Sequence, residues 1–226
     1  MALEIIDKKI VGTIDSLEAK LSGNIPIQIE ELLLLINSWG RENSFYTCHL
    51  NQDMKIDKCE PKECYDLSKL DTSQITNMNE IFKNSKFNGD ISKWDVSNVT
   101  SMNKMFFSAK NFNSPLNSWN TSNLFSMYSI FTYSNFNQNI NSWDVSKVTD
   151  MGYAFCNTEN FNQPLNNWNT SNVETIKSIF YRANKFNQDI STKQVTVWGN
   201  TYTAWDTSKV KNMSGMFAGN FGLTDI

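Results

Sequence analysis

Four cysteines and a single histidine carry the most specific chemistry in this chain. Cys48, His49, Cys59 and Cys64 lie close together, and Cys156 stands alone much further on. As a metal set they would read C-H-x9-C-x4-C. That spacing matches no common zinc pattern, and adjacent residues such as Cys48 and His49 point to opposite sides of a strand. The same thiols could instead form a disulfide or stay free, and spacing alone leaves these readings open. Carboxylates recur in one column, Asp71, Asp95, Asp144 and Asp206, with Asn120 and Asn169 at the intervening positions. A calcium ladder is one reading of that column; capping of turns and helix starts explains it with fewer assumptions. No acid–base pair stands out among the carboxylates, and His49 is the one histidine available as a base. The chain has no phosphate-binding glycine loop, H-E-x-x-H or G-x-S-x-G. The expectation is a non-enzymatic protein with no catalytic residues, metal or cofactor.

Aromatic residues are the alternative source of function. Trp198 and Tyr202 lie in an irregular insertion, while Phe125, Tyr128, Tyr153 and Tyr181 fall outside the recurring pattern, as do Phe107 and Tyr133. Scattered aromatics are ordinary, but a contiguous exposed patch marks a partner surface. Trp198, Tyr202, Phe125, Tyr128, Tyr153 and Tyr181 are therefore the binding candidates.

The elements that must position these residues come from a repeat. From about Leu70 onward, Trp94, Trp119, Trp143, Trp168 and Trp205 hold one position, with Leu70 in their place in the first copy. Twelve residues after each comes a phenylalanine: Phe82, Phe106, Phe131, Phe155, Phe180 and Phe217. Phe87, Phe112, Phe136 and Phe161 begin F-N pairs seven residues before a tryptophan. A period of 24 to 25 residues with large apolar groups in register predicts a stacked repeat, in which no copy can bury its own core alone. Each copy divides into a short strand with an inward Leu or Ile, as in Asn162–Trp168, and a second part beginning at D/N-x-S. In that second part Val99, Met102, Met105, Phe106 and Ala109 recur at spacings of three and four, which predicts a helical turn. W-D-V at Trp94 and Trp143 alternates with W-N-T at Trp119 and Trp168. Stacked copies lie close together, so alternating Asp with Asn avoids placing like charges over one another. The asparagine column Asn88, Asn113, Asn137, Asn162 and Asn187 is expected to be a structural ladder.

Between Phe186 and Trp205 lie nineteen steps where seven are usual. The inserted QVTVW-GN-TYTAW reads as a hairpin over about 194–204 turning at Gly199-Asn200, with Val197 opposite Tyr202 and Trp198 opposite Thr201. Alternatively Trp198 and Tyr202 could fill core positions. Residues 1–66 do not fit the repeat and read as an N-terminal helical cap, with a helix over 27–38. A net charge of -3 and pI near 5.2 give no electrostatic footprint for nucleic acid or an anionic membrane. The longest apolar run, Leu32–Ile36, is far short of a membrane span. The start has no signal-peptide order, which fits an intracellular protein or a trimmed exported one. No cap is evident after Phe217, so the last copy is expected to be shielded by a homodimer or by the tail 221–226.

W-D-V-S-N-V-T-x-M-x-x-M-F (Trp94–Phe106) and F-N-Q-P-L-N-N-W (Phe161–Trp168) closely resemble the BspA-like, DUF285-type leucine-rich-repeat family, and Leu67–Phe82 resembles its usual first repeat. The resemblance implies an α/β repeat fold: a right-handed, LRR-like solenoid of about six coils over 67–226, each a short parallel strand plus a helical turn, behind an α-rich cap. It implies a mostly bacterial, often surface-located protein linked to adhesion and protein binding, and it transfers no catalytic residue. The leading expectation is thus a protein-binding module at a bacterial surface. An intracellular adaptor or inhibitor, or a glycan-binding module, would be the alternatives.

Overall fold

The protein is represented by a computed structural model describing residues 4–6, 9–11, 26–29, 32, 45–50, 56–62 and 67–221. Before the repeat, β1 (Glu4–Ile6) pairs with β2 (Lys9–Val11), and β3 (Phe45–Leu50) pairs with β4 (Ile56–Lys62), both antiparallel. Residues 1–66 therefore contain two hairpins where the sequence suggested mainly helix. Of the helix expected over 27–38, Ile27 and Gln28 are not helical, Ile29 and Leu32 are, and the Leu32 N–H donates to the Gln28 carbonyl at 3.0 Å; residues 30, 31 and 33–38 lie outside the described residues. Pro26 bridges Asp71, the Ile27 N–H donates to the Asp71 carbonyl, and Ile27 and Leu32 are fully buried with the first repeat copy. This short segment closes the first copy's apolar face.

Each copy, here called a coil, lies against the next. Single parallel bridges run from Asn77 through Ser101, Ser126, Asp150 and Thr175 to Asn212. Beyond each bridge, backbone amides alternate in destination. The N–H groups of Met102, Lys104, Phe106 and Ser108 donate to carbonyls of the following coil, at Ser126, Tyr128, Ile130 and Thr132. Between them, Met105, Phe107 and Ala109 donate three residues back within their own coil. The same alternation recurs at 78–84, 127–133, 151–157 and 176–182. An α-helix spends its amides inside one segment, four residues back. Here half of them join neighbouring coils, so the segment is a row of stacked turns and the expected helical turn is not formed. The row requires left-handed backbone twice per coil, for example at Lys104 and Ser108 (φ 55° and 54°), Ser129 and Tyr133, or Gly215 and Gly219. That conformation is uncommon for non-glycine residues, and the coil-to-coil hydrogen bonds hold it in place. Apolar spacing alone does not separate the two outcomes, because a turn row with i→i−3 bonds also brings residues three and four apart to one side.

The core is a set of aromatic columns. Successive phenylalanines of the turn row stack at 5.2–5.7 Å between ring centroids from Phe82 to Phe217. A second column, Phe87, Phe112, Phe136, Phe161 and Phe186, stacks at 5.9–6.4 Å. The two columns touch within each coil, as at Phe131–Phe136, 4.0 Å. Tryptophan forms a third column that also carries a polar bond. The indole N–H of Trp94, Trp119, Trp143, Trp168 and Trp205 donates to Leu67, Ile91, Leu116, Ile140 and Leu165 carbonyls respectively, at 2.8–3.2 Å. Each acceptor is the residue with the inward aliphatic side chain one coil earlier. Tryptophan thus fills the core while satisfying a buried carbonyl that phenylalanine would leave bare.

Polar ladders edge the core. Asn88, Asn113, Asn137 and Asn162 each accept, through Oδ1, the backbone N–H of the next asparagine in the column, at 2.8–3.0 Å. Asp95, Asn120, Asp144, Asn169 and Asp206 accept the N–H two residues on, forming Asx turns. The alternation of W-D-V with W-N-T acquires a structural use. Buried Thr72, Thr121 and Thr170 donate their hydroxyls across to the carbonyls of Asp95, Asp144 and Asp206. Val96 and Val145, at the same offset in the alternate coils, are buried without such a bond. The hydroxyl bonds thus join coils in pairs, which matches the alternation of the sequence, where Trp94 to Trp143 and Trp119 to Trp168 are each 49 residues apart.

The insertion is a hairpin of β5 (Lys193–Val197) and β6 (Asn200–Ala204). Its turn lies one residue earlier than expected, at Trp198-Gly199, with Val197 opposite Asn200 and Val195 opposite Tyr202. Both turn residues have positive φ, 55° and 80°, the signature of a type I′ turn whose twist suits two paired strands. This register places Thr196 over Thr201, hydroxyl to hydroxyl at 2.9 Å, and brings Gln194 Nε2 to the Thr203 hydroxyl at 2.6 Å. Those side-chain bonds on the outer face favour it over the alternative.

Candidate functional site

The six candidate aromatics separate into two grooves and one isolated ring. Trp198 sits at the hairpin tip and is 87% exposed, which excludes it from the core. Tyr202, on the inner side of β6, is half-buried; its hydroxyl donates to the Asn167 carbonyl at 2.5 Å and so ties the hairpin back onto the coils. Burial, and then the nearby Asp144 charge, push the Tyr202 phenol above its ordinary pKa. Between hairpin and coils lies a cleft of about 400 Å3, lined by Trp198, Tyr202, Val197, Asn141, Asp144 and Asn169 among others. Its chemistry is one large exposed indole facing several amide and carboxylate groups. The sequence pointed to the two aromatics. Asp144 stood out only as a capping or calcium-ladder position, a role its Asx turn with Ser146 fits, and nothing in the sequence pointed to Asn141.

The second groove runs along the turn row. Tyr128, Tyr153 and Tyr181 line it together with Phe107, Tyr133, Lys104 and Cys156, in a volume of about 460 Å3. Tyr128 meets Tyr153 edge-on at 5.7 Å, and Phe107 meets Tyr133 in the same manner at 5.7 Å. Tyr133 and Tyr153 occupy left-handed positions of the row, φ 60° and 58°. Gly152 contributes by what it lacks: a Cβ there would come within 3.1 Å of Asp150 Oδ1 and 3.4 Å of the Tyr128 ring. Cations lie over these rings, Lys110 over Tyr133, Lys177 over Tyr153 and Arg182 over Tyr181, at 5.3–5.8 Å. The groove is therefore aromatic, phenolic and edged with positive charge. Cys156 opens into it, and burial raises its thiol pKa while Asn157 Nδ2, 3.1 Å from the sulfur, opposes the shift. The neutral thiol form is thereby favoured.

Phe125 is the outlier. It is half exposed, lines neither groove, and its backbone serves the stack: its N–H donates to Thr100 and its carbonyl accepts from Thr149. Phe107 and Tyr133, which fall outside the repeat pattern with the other irregular aromatics, join the turn groove. Their signal was their position one turn-row step from the other tyrosines, which becomes legible only once the segment is known to be a row of turns. Among the described residues no group of three or more His, Cys, Asp and Glu is placed to hold a metal ion. Likewise, no described helix is long and apolar enough to cross a membrane.

These features define a repeat-built protein with two aromatic grooves on its outer surface. The family model described as "Mycoplasma protein of unknown function, DUF285" matches residues 51–135, 126–202 and 197–225. The chain belongs to this family. No curated protein and no solved structure matches the chain.

Proposed function

We propose that the protein is a non-enzymatic binding module whose turn-row groove engages a protein partner, in the adhesion-type role that the family resemblance implies for bacterial surface proteins. The carrying observation is the contiguity of Phe107, Tyr128, Tyr133, Tyr153 and Tyr181 in one groove under Lys110, Lys177 and Arg182. Aromatic and cationic side chains are the groups enriched at protein interfaces and their hot spots. The accompanying fold reading is a right-handed solenoid of about six coils, supported by the run of parallel bridges from Asn77 to Asn212. A stack of coils offers a long regular face, and the irregular aromatics distinguish one part of it. An intracellular adaptor or inhibitor would use the same face. The test is capture from host-surface and bacterial-cytosol extracts by wild type, by a Tyr128→Ser, Tyr153→Asn double variant, and by a chain lacking residues 194–204. A partner lost only with the double variant supports the turn groove. A partner retained by the double variant and lost with the deletion rejects it.

A second reading, glycan binding, draws on the cleft at the hairpin. Trp198 presents an open ring face beside Asn141, Asp144 and Asn169, the combination of stacking platform and hydrogen-bonding groups that suits a sugar. Binding to an immobilised glycan panel that disappears in Trp198→Ala would favour this reading.

A further inference from the structure

We propose that Cys48 and Cys59 form a reversible disulfide across the β3–β4 hairpin. The two residues are directly opposite in the antiparallel ladder, and so are Tyr46 and Pro61 two positions away. The register irregularity falls between His49 and Leu50, outside the stretch joining these pairs. Proline fixes the parity of the ladder. In an antiparallel pair, opposite residues alternate between those that exchange two N–H···O bonds and those that exchange none. Pro61 has no N–H to give, so Tyr46–Pro61 belongs to the non-exchanging class. β4 pairs with β3 alone among the described strands, so Pro61 faces an edge where no bond is lost. Counting two residues along, Cys48–Cys59 belongs to the same class. That class brings Cα atoms to about 4.5 Å and Cβ atoms closest together. A disulfide needs Cα atoms about 4.4–6.8 Å apart and Cβ atoms about 3.5–4.5 Å apart, and the close class is the one that meets the second requirement. Cys64 lies outside the described residues, and Cys156 is buried in a coil.

The oxidant is a small-molecule disulfide. One cysteine thiolate attacks it, forming a mixed disulfide and expelling a first thiolate. The second cysteine attacks that sulfur, closing Cys48–Cys59 and expelling a second thiolate. The two cysteine protons end on the two released thiols, so two protein thiols are oxidised and one small disulfide is reduced.

The test treats the reduced, folded full chain with oxidised glutathione, alkylates remaining thiols in denaturant, and maps peptides by mass spectrometry. Expected are a Cys48–Cys59 cross-link lighter by two hydrogens, alkylated Cys64 and Cys156, and a fall from four titratable thiols to two. Cys64→Ser should leave the cross-link intact, and Cys59→Ser should leave Cys48 as a glutathione adduct. Four alkylated thiols, a persistent glutathione adduct in the wild type, or a cross-link involving Cys64 would each overturn the assignment.

Discussion

A central coil and the last described coil carry the same landmarks in different surroundings. Met151 and Phe155 are fully buried, whereas Met213 is 48% exposed and Phe217 only partly buried. Phe155 stacks on Phe131, Phe161 and Phe180; Phe217 has a ring partner on one side, Phe180. The amides differ in the same way. Met151, Tyr153, Phe155 and Asn157 donate to the next coil, while those of Met213, Gly215, Phe217 and Gly219 have no acceptor among the described residues. Burial in this protein is therefore conferred by the neighbouring coil, and a residue's own type only makes it eligible. The first coil illustrates the converse: Met78 and Phe82 are fully buried, and Ile27 and Leu32 of the preceding segment join that cluster.

The largest expected effect is on stability. Phe155→Ala removes a ring packed on three others and should cost about 3–5 kcal/mol. Phe217→Ala, in the last described coil, should cost less, about 2 kcal/mol, because its ring is partly exposed and stacks on one ring, Phe180. Urea denaturation of both variants measures the gap, and equal losses would break the comparison. Next comes amide exchange. The amides of Met213, Gly215, Phe217 and Gly219 should exchange at least about 10-fold faster than those of Ile176, Ser178, Phe180 and Arg182, which donate to the last coil. Protection of the first set to the level of the second would mean that a further segment pairs with them. A smaller loss, about 1 kcal/mol, is expected for Asn137→Ala, which strips the acceptor from the Asn162 N–H and from Gln163 Nε2. Both groups are near solvent, so water replaces part of the bond.

What the sequence made legible was whatever repeats. The tryptophan, phenylalanine and asparagine columns can be read because a coil's period puts like residues in like places, and in the fold each column repeats one kind of contact. The W-D-V and W-N-T alternation is visible and reads as charge spacing at its Asp and Asn, while the hydroxyl bonds of Thr121 and Thr170 stay hidden because their acceptors sit a full coil away. Spacings of three and four in Val99–Ala109 were read as helix because periodicity reports which side a residue faces, not where its amide donates. The hairpin turn was misplaced by one residue for a related reason: Gly199-Asn200 is a good local turn, but side-chain bonds at Thr196–Thr201 and Gln194–Thr203 favour Trp198-Gly199. Of the candidate site, the aromatics were visible as departures from the repeat. Their grouping was not, because Tyr128, Tyr153 and Tyr181 stand at unequal offsets and meet only on the turn row.

Asp150 offers the finest test of coil-conferred environment. It occupies the bridge column between Ser126 and Thr175, and its Oδ1 accepts the Gly152 N–H at 2.8 Å. Partial burial raises its pKa, with the Gly152 bond pulling the other way. Asn77 and Asn212, in the first and last coils of the same column, make the equivalent turn with an uncharged side chain, their Oδ1 accepting from Asn79 and Ser214 at 2.9 and 3.0 Å. Asp150→Asn should therefore keep the turn and remove a charge that burial disfavours. With the folded pKa above the unfolded one, the folded state holds the proton more tightly, and wild-type stability falls as pH rises through the folded pKa. At neutral pH the variant should consequently melt higher, by about 1–2 °C, because solvent screens a half-exposed carboxyl and keeps the effect small. The advantage should shrink as pH falls and vanish below about pH 4, where the carboxyl is protonated in both states. A variant that melts lower at neutral pH would show that the carboxylate's stronger acceptance of the Gly152 bond outweighs its burial, and that the central coil imposes less desolvation than the contrast with the last coil requires.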